Sequence, residues 1–169
     1  MTTRRGFRVV CQVLLPIILC CTLLLLKGDA AVSAQTELRF SSELVAEKHQ
    51  RFVEYQKTFN HFGQSNLATD EFQVSISLLT VASRTSEYLA AVHTLLEVYG
   101  DLSCEEDRSR VRLVIGRELG FYRELMESAI AESDLNIAHT HMPGVAAEGV
   151  RMRDDLKEVK RIFDSIKLS

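Results

Sequence analysis

The chain is predicted to be an all-α protein: an antiparallel up-down-up-down four-helix bundle preceded by an N-terminal signal or anchor helix. Three observations predict it. Apolar residues recur at three- and four-residue spacing in four successive stretches. Alternating runs of Val, Ile and Thr, the mark of half-buried strands, are missing. The chain has only two prolines, Pro16 and Pro143, so little interrupts a long helix.

The N-terminal segment comes first. Arg4, Arg5 and Arg8 precede residues 9–26, which carry no charge, and a short polar stretch then ends Ala31-Val32-Ser33-Ala34. A basic start, an apolar run and a small-residue site are the order of an export signal, with cleavage expected between Ala34 and Gln35. Basic residues stay on the cytoplasmic side while the apolar run inserts. Eighteen uncharged, mostly apolar residues are also just enough to cross a bilayer, so a retained anchor is the competing reading. Either way the remainder is expected outside the cytoplasm, periplasmic, secreted or membrane-anchored, and residues 35–169 form one domain.

Within that domain the first helix is expected from about residue 36 or 41 to 62. Leu38, Val45, Phe52 and Phe59 recur every seven residues as in a coiled coil, with Tyr55 and Phe62 between them. Gly63 suits a left-handed terminating position. The second helix is expected to begin at Thr69 or Asp70, both good N-caps, and to run to Tyr99 before Gly100. Its two apolar stripes, one through Phe72, Leu79 and Leu89 and the other through Val74, Leu78 and Val92, require cover on more than one side. It is therefore either central or a subunit contact. His93, on the stripe of Leu89 and Leu96, reads as a neutral core histidine.

Ser103-Cys104-Glu105-Glu106 fits a capping box that opens the third helix, expected to last to about Ser133. Its stripe is Val111, Ile115, Tyr122, Met126 and Ala129. Gly116 and Gly120 each cost up to about 1 kcal/mol relative to Ala, and close approach of a neighbouring backbone is the expected reason. Residues 134–142 read as a frayed extension or a turn. Pro143 suits the first position of a fourth helix, expected to reach about residue 167, with Val145, Gly149, Met152, Leu156, Val159, Phe163 and Ile166 on its apolar side. Short connections make consecutive helices antiparallel neighbours.

Charge excludes one class of partner. Residues 1–34 hold four of the 20 basic and one of the 23 acidic residues, so the remainder has 16 against 22, a balance of −6. Phosphate backbones are bound by clustered Lys and Arg, so no nucleic acid is expected. No cofactor is expected either: Glu-x-x-His pairs for a di-iron centre and Cys-x-x-Cys-His for covalent haem do not occur. His139, His141 and Met142 place two imidazoles and a thioether within four residues, a composition that suits copper or nickel. A solvated loop is the plainer reading of the same residues. Cys104 is the only cysteine after Ala34. An exported chain would then have no internal disulfide, leaving Cys104 as an intermolecular bridge, a reactive thiol or an inert residue. Acid pairs Glu105-Glu106 and Asp154-Asp155 read as a helix start and a solvated face.

The functional expectation is an exported, non-catalytic interaction or accessory module of the cell envelope, which binds a protein partner or itself through the apolar excess of the second helix. The membrane would be met only through residues 9–26. The alternative is a periplasmic metal- or small-ligand-binding bundle built on His139, His141 and Met142.

Overall fold

The computed structural model describes residues 36–67 and 69–168. The proposed signal or anchor segment, its apolar run 9–26 and the Ala34–Gln35 junction lie outside them. The described residues form four helices and no strand: α1 over 36–65, α2 over Asp70–Asp101, α3 over Glu105–His139 and α4 over Pro143–Ser165. No helix among the described residues is long and apolar enough to cross a membrane.

The heptad residues Leu38, Val45, Phe52 and Phe59 of α1 are all buried, as is Tyr55. The helix does not stop at Phe62. Gly63 is helical, and no described glycine has a positive φ. Side chains close the end instead: Ser65 Oγ donates to the His61 carbonyl at 2.9 Å and Asn66 Nδ2 to the Phe62 carbonyl at 2.8 Å. Gly63 lies against Phe72, Ser75 and Ile76 of α2.

Thr69 is the N-cap of α2, but its hydroxyl donates back to the Asn66 carbonyl rather than serving the helix. Asp70 and Glu71 in the first turn complement the positive end of the helix dipole. At the far end Gly100 lies inside the helix, not beyond it. Its missing side chain faces Leu38 of α1, 3.7 Å from where a Cβ would stand. His93 is not a core residue; it sits at the surface margin with Nε2 3.5 Å from Glu97.

The expected capping box of α3 does not form. Cys104, not Ser103, holds the extended N-cap position, and no side-chain cap bond is made there. Glu106 turns forward to Arg110 one turn along instead of back to the cap. Nor does α3 end at Ser133: it continues to His139, six residues further. Tertiary contacts explain the extension, because Asp134 pairs with Arg153 at 3.1 Å and Ile137 packs on Gly149, both on α4. Intrinsic propensity near a helix end is weak enough for such packing to decide.

Pro143 begins α4 as expected, after Met142 as N-cap. Every member of its apolar stripe is buried, from Val145 through Met152, Leu156 and Phe163 to Ile166. Contacts between α3 and α4 run in opposite chain order: Arg123 with Asp164, Glu127 with Lys160, Asp134 with Arg153, Ile137 with Gly149. Tyr88 of α2 stacks on Tyr122 of α3 with centroids 4.9 Å apart, and Arg112 of α3 donates to the Tyr99 hydroxyl of α2 at 3.1 Å. The buried side chains of Leu38–Leu168 form a single cluster, with Phe52, Phe59 and Phe163 among the largest.

The glycines of α3 and α4 reverse the expected roles. Among the described residues a Cβ on Gly116 or Gly120 would meet nothing within 4 Å, so no described backbone approaches either. A Cβ on Gly149 would come within 2.8 Å of Ile137 Cγ1 and 3.5 Å of Leu78 Cδ1. Alanine substitutions should therefore have opposite signs. Gly116→Ala is expected to stabilise by up to about 1 kcal/mol through helix propensity. Gly149→Ala is expected to cost about 1 kcal/mol net, overpacking outweighing the same gain. Urea melts of dilute protein followed by helical circular dichroism check both.

Candidate interaction surface

Position along a helix decides which residues see solvent. Only four residues of α3 are fully buried, Ile115, Leu119, Met126 and Ser133, and they define one side. At 100° per residue Leu113 lies diametrically opposite Ile115 and is 77% exposed. Phe121, two turns on, is 54% exposed, Val114 40% and Leu135 61%. Gly120 lies beside Leu113 on that side and Gly116 at its margin, and among the described residues nothing comes within 4 Å of a Cβ built on either. A solvent-facing helix side ordinarily carries long polar side chains alone, whereas here Leu113 and Phe121 stand beside Arg110, Arg117 and Glu124. Contiguous exposed apolar surface is the feature that marks association sites.

The apolar excess was expected on α2 and is found on α3. Most of α2 is covered, with Leu78, Val81, Leu89, Val92 and Leu96 buried and Val98 its only large apolar residue that is strongly exposed. The signal for the α3 face was in the sequence: Leu113 and Phe121 do not fall on the stripe of Ile115, Tyr122 and Met126, so they must face away from it.

Charges run along the middle of the face in a graded order. Arg110 and Arg117 occupy its first half, Glu124 and Glu127 its second. Arg110 pairs with Glu106, Arg117 with Glu118 at 3.1 Å, and Glu127 with Lys160 of α4 at 2.6 Å. Among the described residues Glu124 has no such partner.

The other predicted residues are dispersed. His139 ends α3, exposed, with Nδ1 2.6 Å from the Leu135 carbonyl. His141 lies in the connection, where its backbone N–H and the Thr140 hydroxyl both donate to the Glu71 carboxylate. These bonds, that of Thr140 foremost, hold the Glu71 carboxyl below its ordinary value. Met142 caps α4. No group of three or more His, Cys, Asp and Glu side chains placed to hold a metal occurs among the described residues. Cys104 is exposed as a free thiol. A small cleft of ≈ 50 Å³ between α2 and α3, lined by Thr85, Tyr88, Leu125 and Ser128 among others, has room only for water-sized guests.

One polar cluster was not foreseen. Lys48 Nζ of α1 lies 2.9 Å from Asp155 Oδ1 and 2.5 Å from Glu158 Oε2 of α4, and the Tyr55 hydroxyl donates to Asp155 Oδ2 at 2.6 Å. The Asp154-Asp155 pair is thus not uniformly solvated: Asp154 is exposed, whereas Asp155 is half-buried and tied to α1. Burial pushes the Asp155 carboxyl up, but hydrogen bonds from Lys48 and Tyr55 and the charges of Lys48 and Arg51 outweigh it, leaving the group below its ordinary range. The cluster joins α1 to α4, so it reads as a clamp.

In comparison with known proteins, the chain matches no family model, no curated protein and no solved structure.

Proposed function

We propose that this protein is an exported, non-catalytic interaction module of the cell envelope, an up-down-up-down bundle that docks a protein through the outer side of α3. Residues 1–34 carry it out of the cytoplasm and are removed at Ala34–Gln35 or retained as an anchor. The opposed contact order of α3 and α4 supports the bundle topology. The carrying observation for docking is the coincidence of Leu113, Phe121 and Leu135, all more than half exposed, on one helix side.

A photo-crosslinking amino acid at Leu113 of the full chain, expressed in living cells, tests it. A protein adduct at Leu113 and none at the exposed control Arg151 is the expected result. Absence of any adduct at Leu113 rejects the docking surface. The mass of the product's N-terminus, with its cell fraction, tests export separately: an untruncated chain free in the cytosol rejects it.

A further inference from the structure

We infer that the occupant of the α3 face is a second copy of this chain, its α3 crossing the first antiparallel near position 117. The inference rests on the docking surface proposed above and names its partner. Charge order carries it. A twofold axis passing through position 117 sets each residue opposite the one equally far on the other side of that position. Leu113 of each copy then lies against Phe121 of the other, so the large apolar side chains cover one another twice. Arg110 of each copy lies opposite Glu124 of the other, which supplies a cation that Glu124 lacks among the described residues. Arg117 meets its own counterpart on the axis, where each guanidinium already has Glu118 at 3.1 Å.

The parallel arrangement fails on the same residues. It would place Arg110 against Arg110 and Glu124 against Glu124, and like charges across an interface disfavour a pairing. Arg110 gives up little in the exchange, since its bond to Glu106 joins two groups that are 71% and 73% exposed.

Sedimentation of the full chain, as recovered from cells, reads the assembly state, and three variants read the register. Leu113→Glu is expected to weaken the dimer by roughly a hundredfold or more, by placing a charge at the apolar centre. Arg110→Glu alone should weaken it roughly tenfold through like-charge repulsion with Glu124. Arg110→Glu combined with Glu124→Arg should return it close to wild type. All these side chains are exposed, so unchanged helical circular dichroism confirms that the fold persists. A monomer at the highest soluble concentration, or a dimer indifferent to both Leu113→Glu and Arg110→Glu, overturns the inference. So does a double variant that fails to restore assembly. The crosslink at Leu113 separates the two readings: an adduct of twice the chain mass supports self-association. An adduct with a different protein alone overturns it while docking stands, and no adduct overturns both.

Discussion

Phe163→Ala is expected to destabilise the protein by about 3–5 kcal/mol, the range for deleting a fully buried aromatic ring. Phe163 has no exposed surface and lies on α4, with its ring centroid 6.5 Å from that of Tyr122 on α3. Its backbone carbonyl accepts a hydrogen bond from Arg123 Nη2 at 2.5 Å, which the substitution leaves in place. The loss is therefore one of packing and cavity formation. Against a total stability of about 5–15 kcal/mol for a domain of this kind, it removes a large share. Phe40→Ala, at a residue 61% exposed, is the control and should change stability by less than about 0.5 kcal/mol. Chemical denaturation of both variants checks the contrast. Equal losses would mean that α4 does not bury this ring.

Asp155→Ala is expected to cost about 2–3 kcal/mol. It leaves the Tyr55 hydroxyl without its acceptor in a half-buried setting and takes one of two carboxylates from Lys48. Asp154→Ala next to it removes an exposed group and should leave stability close to wild type. The pH dependence follows from the directions of the shifts. The Asp155 carboxyl is held below its ordinary value in the fold, so its contribution is present above about pH 4 and is lost as pH falls through the depressed value. For Lys48, burial favours the neutral amine, but the hydrogen bonds and charges of Asp155 and Glu158 prevail and raise it. Burial, then the bond to Asp155, raises the Tyr55 phenol. Both contributions hold below about pH 10 and fade as pH climbs through the raised values. Wild-type stability should therefore show a plateau between those limits, and Asp155→Ala should flatten its acidic edge.

The buried sides of the helices were legible in the sequence because burial imposes a period that the chain cannot hide. Leu38, Val45, Phe52 and Phe59 on α1, and Met152, Leu156, Val159 and Phe163 on α4, were identified from spacing alone and all lie in the core. Helix ends were less legible. Gly63 and Gly100 look like terminators, yet both stay helical, packed against the adjoining helix at distances that a Cβ would also accept. Ser103 and Glu106 match a capping box by type, but Arg110 offers Glu106 a charged partner in place of a backbone N–H. The Lys48–Asp155–Tyr55 cluster joins residues about a hundred positions apart. No local pattern announces it, and the polar residues that build it look like solvated ones until α1 and α4 meet. The α3 face lay within reach of sequence reasoning, since angular position alone sets Leu113 across from Ile115.

The notch at Gly149 has a mechanical meaning. Ile137 sits where that residue lacks a side chain, and the other glycine of α4, Gly144, lies more than a turn away beside Phe62 of α1. Sliding α3 by one turn, about 5.4 Å, would drive the Ile137 methyl groups into a position that carries a full Cβ. The two rods are thus keyed together like a ratchet with a single tooth. Any molecule that grips α3 from outside would take hold of a fixed rail, and the pull would pass to the whole bundle.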